Sequence, residues 1–225
     1  MGFDLNYGKY MDHTILKPYT TKEMLKRFCD EAKQYHFASV AVNPSNIPYV
    51  VEQLKGSDVK ACAAIGFPLG ATTTLVKVTE AKEAIENGAG EVDFVINIGR
   101  LKDKDYDYVA NEIKQMVEVA HPKALCKVIL ENCYLTDEEK VIVCKMAVEA
   151  KADFVKTSTG MGSGGATVED VKLMKQTVGD AVQVKAATGI NNREICDQML
   201  AAGATRMGTS KGICIVKDEL QLWKF

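Results

Sequence analysis

Two lysines and an aspartate stand inside short apolar runs where valine or isoleucine is expected: Lys156 in DFVKTS (153–158), Lys185 in VQVKAA (182–187) and Asp93 in EVDFVIN (91–97). A charge in such a run is costly unless it is paired or put to use. If the two lysine-bearing strands are neighbours, their ammonium groups lie about 6 Å apart and repel by roughly 3 kcal/mol at an effective dielectric of about 20. Repulsion of that size lowers one lysine by about two units from its usual value of ~10.4, and burial acts in the same direction. A lysine that is partly neutral near physiological pH can attack a carbonyl. The Schiff base it forms is an electron sink, through which the neighbouring carbon–carbon bond forms or breaks. Asp93, expected to share a strand face with Asn97, supplies a carboxylate for the proton transfers. The set is that of a class I aldolase, with Lys156 as nucleophile and Lys185 as the neighbour that tunes it. Lys127, opening KVILE (127–131), is the competing nucleophile; it is expected near the N-terminal end of its strand and ranks behind. Asp12 in MDHTIL is a further strand charge, and Glu131 closes KVILE.

These side chains need a frame that turns several strands toward one place. Strand-like runs recur at 10–16, 38–42, 60–66, 91–97, 125–131, 153–158, 182–187 and 205–210. They start roughly 22 to 35 residues apart, about the length of one βα unit. Helix starts follow several of them: Thr20 with Glu23, Thr136 with Glu139, Thr167 with Asp170, and Asn191 with Glu194. LTDEEKVIVCKMAVEA reads as an amphipathic helix with Val141, Cys144, Met146 and Ala147 near one face, and the last helix, after Gly212, is short. Gly56, Gly88 with Gly90, Gly179 and Gly203 are placed to close helices in left-handed geometry. No linker or composition shift divides residues 1–225, so the expected architecture is one (β/α)8 TIM barrel domain rather than an open doubly wound sheet.

The loop after the sixth strand contains GMGSGG (160–165), a literal match to the G-x-G-x-x-G dinucleotide fingerprint, with Asp180 about twenty residues beyond its first glycine. A nicotinamide-dependent oxidoreductase is therefore a second reading. That fingerprint belongs to the first turn of an open sheet, however, and this one follows the sixth strand. The loop reads more simply as backbone that an anionic substrate can approach. AATGINN (186–192) and GTSKG (208–212) follow the seventh and eighth strands, where barrels of this kind commonly bind phosphate. Thr159, Gly160, Gly189, Ser210 and Lys211 are the candidates for a phosphorylated aldehyde or sugar.

The chain resembles the 2-deoxyribose-5-phosphate aldolase family in MDHTILKP, SVAVNP, IGFPLGATTT, EVDFVINIG, KVILE, VKTSTG, VKAATGI and GTSKG, in that order and over most of its length. The resemblance implies reversible cleavage of 2-deoxyribose 5-phosphate to glyceraldehyde 3-phosphate and acetaldehyde, with no metal or organic cofactor. It also implies a homodimer. It assigns Lys156 as the Schiff-base lysine, Lys185 as its neighbour and Asp93 as the proton-transfer carboxylate. Asp12 would belong to the supporting polar network, and Thr14 and Asn43 would lie near substrate hydroxyls. The departures fall at the presumed phosphate end. Thr188-Gly189 and Asn191 stand where the family usually has a glycine pair and then arginine, and Ser210-Lys211 where it commonly has paired serines. These changes keep a non-phosphorylated acceptor aldehyde as an alternative. The chain closes on LQLWKF without the tyrosine that ends many members, which leaves donor enolisation to Asp93, Lys185 and water.

The totals agree with a small-molecule enzyme. A net charge of −2 over 225 residues shows no basic excess for nucleic acid or anionic membrane. Seven cysteines without a C-x-x-C pair read as buried reduced thiols, and three histidines show no zinc spacing. No basic leader and no run of ~18 apolar residues is present, so a cytoplasmic protein is expected.

Overall fold

The computed structural model describes residues 5–219; residues 1–4 and 220–225, the latter being the whole of LQLWKF, lie outside that description. The strands are β1 (Met11–Thr14), β2 (Ser39–Val42), β3 (Lys60–Ile65), β4 (Glu91–Val95), β5 (Leu125–Ile129), β6 (Phe154–Lys156), β7 (Gln183–Ala187) and β8 (Arg206–Thr209). All pair in parallel in chain order, and β8 returns to β1 to close the barrel. Each lies within its expected run. The helices are α1 (Lys22–Gln34), α2 (Ile47–Leu54), α3 (Thr74–Glu86), α4 (Ile98–Lys102), α5 (Tyr106–Ala120), α6 (Asp137–Glu149), α7 (Val168–Val178), α8 (Arg193–Ala201) and the short α9 (Gly212–Lys217). The protein is a (β/α)8 TIM barrel.

Period-2 alternation divides every strand between two environments. Val92, Phe94, Val128, Val155, Val184 and Ala186 point outward and join the apolar core beneath the helices. Their neighbours Glu91, Asp93, Lys127, Lys156 and Lys185 point inward and are also buried. The apolar core is thus the ring between strands and helices, and the barrel interior is ionic.

Hydroxyl or amide caps start α1, α3, α4, α6, α7 and α8, with two shifts of one residue. Thr136 and Glu139 form the expected capping box, and Thr167 Oγ1 accepts the Asp170 N–H at 3.0 Å. Thr21 rather than Thr20 caps α1, accepting the Met24 N–H at 3.3 Å from an extended backbone, while Thr20 Oγ1 donates to the Lys17 carbonyl at 2.7 Å. Asn192 rather than Asn191 caps α8, accepting the Ile195 N–H at 2.9 Å from an extended backbone. On α6 the buried face is Lys140, Val143, Cys144 and Ala147, while Val141 and Met146 are only half-buried. Gly88 takes the left-handed turn after α3 (φ +96°), and Gly90 does not.

Outside the barrel, α3 and α5 share a fully buried ion pair, Lys77–Glu112 at 2.7 Å. Lys77 also donates to the Val95 carbonyl (2.8 Å), and Glu112 accepts the Asn97 N–H (2.9 Å), so the pair fixes the end of β4. Asn97 lies beyond the strand, where its side chain caps α4, and does not share the inward face of Asp93.

Candidate active site

Asp93 is the hub of the barrel interior. Its Oδ2 accepts from Lys156 Nζ at 2.9 Å and from Lys185 Nζ at 2.7 Å; its Oδ1 accepts from Lys127 Nζ at 2.7 Å and from Cys62 Sγ at 3.1 Å. Lys156 and Lys185 stand opposite each other in register on β6 and β7, as Asp93 and Lys127 do on β4 and β5. Below them Lys127 also donates to Glu91 (2.5 Å), and Arg206 bridges Asp12 (2.7 Å) and Glu91 (3.1 Å). Asp12 Oδ1 accepts from Ser39 Oγ (2.6 Å). Its Oδ2 sits 2.5 Å from Lys185 and 3.6 Å from Lys127, as ion-pair contacts rather than directed hydrogen bonds.

The lattice holds four cationic side chains, Lys127, Lys156, Lys185 and Arg206, against three carboxylates, Asp12, Glu91 and Asp93. One ammonium is in surplus. Burial pulls Lys156 down, Asp93 opposes, and the like charge of Lys185 adds to the fall, so its pKa lies below the ordinary lysine value. Burial acts on Lys185 too, but Asp12 and Asp93 together outweigh it and its pKa is raised. Lys127 rises further, because Asp93, Glu91 and Asp12 surround it. Burial would raise Asp93 and Asp12; the cations override it and hold both well below the usual carboxylate range. Of the four cations Lys156 is therefore the one whose proton is loosened, while those of Lys127, Lys185 and Arg206 are held more tightly.

A cavity of about 470 Å³ opens above this lattice, at the C-terminal end of the strands. Of the three interior lysines only Lys156 lines it; Lys127 and Lys185 are fully enclosed beneath. Lys127 lies on the N-terminal side of Lys156, as expected, but it does not open its strand. It is the third residue of β5, and what distinguishes it from Lys156 is its complement of carboxylates and its lack of access to the cavity.

Among the other candidates, Thr14, Thr159, Gly160, Gly189 and Ser210 line the cavity. Thr14 Oγ1 donates to the Asp12 carbonyl at 2.9 Å, and Thr159 turns both its N–H and its hydroxyl toward Glu131. Asp12 lies in the lattice below. Asn43, at the start of the 3-10 turn Pro44–Asn46, and Lys211, at the start of α9, are not part of the lining. The rim lysine that does line the cavity is Lys17, which the sequence did not single out. Gly189 and Ser210 offer backbone N–H groups that meet no acceptor among the described residues. Tyr19, Met24, Phe28 and Met161 supply an apolar wall.

Sequence reasoning also passed over Glu91, Arg206 and Cys62. Glu91 was findable, since it sits two residues before Asp93 and so faces the same way. Arg206 and Cys62 carry no local signal. Among the described residues no three His, Cys, Asp or Glu side chains are placed to hold one metal ion, and no helix is long and apolar enough to cross a membrane. All seven cysteines are free thiols.

Close packing accounts for the glycines of GMGSGG. A Cβ on Gly160 (φ +89°) would meet Thr188 Oγ1 at 2.9 Å, and one on Gly165 would lie 2.7 Å from the Thr188 carbonyl oxygen. On the other side a Cβ on Gly162 would lie 2.8 Å from Cys133 Sγ. The loop is squeezed between the β5–α6 and β7–α8 connections of a closed barrel, which has no strand-order reversal of the kind that opens a dinucleotide crevice.

The comparisons with known proteins agree with this geometry. Residues 8–218 match the DeoC/LacD family aldolase domain. A deoxyribose-phosphate aldolase of Clostridium novyi is 56% identical over 213 residues, spanning 95% of this chain and 96% of its own. A deoxyribose-phosphate aldolase of Thermococcus kodakarensis is 58% identical over 213 residues, 93% of this chain and 95% of its own. In structure, the aldolase QR15 superposes with a TM-score of 0.90 at 39% identity, covering 95% of both chains. Family, fold and an interior lysine facing a substrate-sized cavity point one way: this chain belongs to the DeoC/LacD family of aldolases and is an aldehyde-lyase.

Proposed function

We propose that the enzyme is a class I aldolase that reversibly cleaves 2-deoxy-D-ribose 5-phosphate to D-glyceraldehyde 3-phosphate and acetaldehyde through a Schiff base on Lys156. The observation that carries this reading is the surplus ammonium: Lys156 shares Asp93 Oδ2 with Lys185, is lowered in pKa, and alone of the three lysines meets the cavity. Neutral Lys156 attacks the aldehyde carbon, loses water and becomes an iminium. In the cleavage direction the C3 hydroxyl gives up its proton, the C2–C3 bond breaks, and its electron pair enters the iminium to leave an enamine. Protonation at C2 and hydrolysis then release acetaldehyde. Asp93 is ionised and can accept a proton, directly or through water, while Lys185 is protonated and can donate one; their environments hold the two groups in opposite states. No metal or organic cofactor is called for.

On the cavity wall, Lys17 and the N–H groups of Gly189 and Ser210, which meet no acceptor among the described residues, suit a phosphate. The names of the relatives support the same substrate. The exposed Leu69, Leu75 and Val76, close together in sequence, support assembly as a homodimer, which light scattering at micromolar concentration tests directly.

Borohydride reduction in the presence of acetaldehyde, followed by peptide mapping, is the test of the chemistry. An ethyl adduct on Lys156 is expected. A folded sample that carries no adduct on any lysine removes the Schiff-base mechanism. Comparing kcat/KM for glyceraldehyde 3-phosphate with that for glyceraldehyde in the synthetic direction then separates the phosphorylated acceptor from its unphosphorylated alternative.

A further inference from the structure

Two non-glycine residues beside the cavity hold left-handed backbone: Glu131 (φ +58°) just after β5 and Thr188 (φ +75°) just after β7. For an L-residue this conformation costs roughly 1–2 kcal/mol, and a β-branched threonine is the less tolerant of the two. Both face the β6–α7 loop that lies between them, and each is tied to it.

On one side the Glu131 carboxylate, buried beneath the loop, accepts the Thr159 N–H at 3.2 and 3.3 Å and also the Thr159 hydroxyl. The same hydroxyl accepts the Met161 N–H at 3.0 Å, so one carboxylate fixes the turn Thr159–Gly160–Met161. On the other side the Thr188 carbonyl accepts the Ala166 N–H at 3.1 Å, and the Thr188 side chain fills the space beside Gly160 and Gly165. Glycine at 160 and 165 and a left-handed Thr188 are mutually required: a side chain on the loop collides with Thr188, and an ordinary φ at Thr188 moves its carbonyl and hydroxyl away from the loop.

We infer that Glu131 and Thr188 are positioning residues that clamp the β6–α7 loop from both sides and thereby set the acceptor half of the cavity. The inference rests on the aldolase reading above, since Thr159, Gly160 and Met161 wall the space above Lys156 where the acceptor aldehyde must sit. Glu131 does not itself line the cavity, so its effect reaches the substrate through Thr159. The donor step needs Lys156 and its lattice, whose side chains make no hydrogen bond or ion pair with Glu131 or Thr188.

The test combines Glu131→Ala, Glu131→Gln and Thr188→Gly with two readouts. Hydrogen exchange of the peptide spanning 157–166 reports the clamp without reference to catalysis. It is expected to quicken by about tenfold in Glu131→Ala, the scale of one lost charge-assisted hydrogen bond, and by less in Glu131→Gln, whose amide oxygen still accepts one N–H, and in Thr188→Gly, which loses the side chain packed beside Gly160 and Gly165 but keeps the carbonyl. The second readout is synthesis kinetics: KM for glyceraldehyde 3-phosphate is expected to rise several-fold in the same order. The rate of acetaldehyde trapping by Glu131→Ala should change much less than that KM. Unchanged exchange in both Glu131→Ala and Thr188→Gly overturns the clamp. Faster exchange with an unchanged acceptor KM, or a trapping rate that falls as far as KM rises, overturns the positioning role. Should wild-type protein trap no imine at all, the Schiff-base reading fails, and the exchange result still decides whether the loop is clamped.

Discussion

Lys127 and Lys156 donate to the same carboxylate from the two layers of one barrel, yet they are opposite kinds of group. Lys127, in the lower layer, has Glu91 at 2.5 Å, Asp93 at 2.7 Å and Asp12 at 3.6 Å, and its proton is held far more tightly than usual. Lys156, in the upper layer, has only Asp93 at 2.9 Å and a protonated lysine across the same oxygen, and its proton is loosened. Both are buried, so desolvation does not separate them. What separates them is the number of carboxylates each faces and the like charge beside one. A buried lysine becomes a nucleophile when its neighbours have already used the available negative charge.

The largest expected effect tests the upper layer. Lys156→Met should lower turnover by at least about 10⁴-fold, since no other lysine of the ionic lattice meets the cavity, while circular dichroism stays native. A variant that keeps more than a few per cent of the wild-type rate removes Lys156 as nucleophile and makes the contrast with Lys127 irrelevant to catalysis.

The lower layer answers in stability. Lys127→Met leaves Glu91, Asp93 and Asp12 facing one fewer cation in a water-free interior, and breaking a buried pair in that way typically costs about 3–5 kcal/mol. Urea unfolding measures it. If Lys156→Met destabilises as much as Lys127→Met, the two layers are electrostatically alike and the surplus-charge argument is wrong.

Lys185→Leu sharpens the comparison by removing the like charge. Lys156 then faces Asp93 alone, its pKa rises, and the acid limb of kcat/KM, which reports deprotonation of the free enzyme, moves to higher pH. An acid limb that stays in place shows that burial alone tunes Lys156.

How much of this was legible before the fold was known follows from what each residue does locally. The eight strands were, because apolar runs alternate with capped helices and each unit announces itself over a few residues. Lys156, Lys185 and Asp93 were visible as charges out of place in those runs. Thr20 for Thr21 and Asn191 for Asn192 were missed by one residue, since adjacent side chains of equal capping ability differ only in backbone geometry. Arg206 and Cys62 reach the lattice through the closure and register of the barrel, and the Lys77–Glu112 pair joins two helices 35 positions apart; no local pattern carries either. Glu131 looked like a strand-end charge because nothing in KVILE reports a left-handed φ.

The smallest effect is also the most specific. A lysine whose pKa is lowered by folding binds fewer protons in the native state than in the unfolded chain, at every pH between its folded and unfolded values. Across that window wild-type stability therefore rises with pH on account of Lys156, whereas Lys127 and Lys185, with raised values, contribute stability that is present below ~10.4 and is lost only as pH climbs through their folded values. Asp12 and Asp93, both depressed, contribute stability present above ~3.9 and lost as pH falls. Between the lowered folded value of Lys156 and ~10.4 the Lys156 slope thus stands nearly alone among the lattice groups. Lys156→Met deletes it. The variant should be at least as stable as wild type below that window, and the advantage should shrink as pH rises through it. Urea midpoints of the two proteins at several pH values measure the difference. A constant difference, or one that grows with pH, means that folding does not loosen the Lys156 proton, and the distinction between the two lysines then lies in access to the cavity alone.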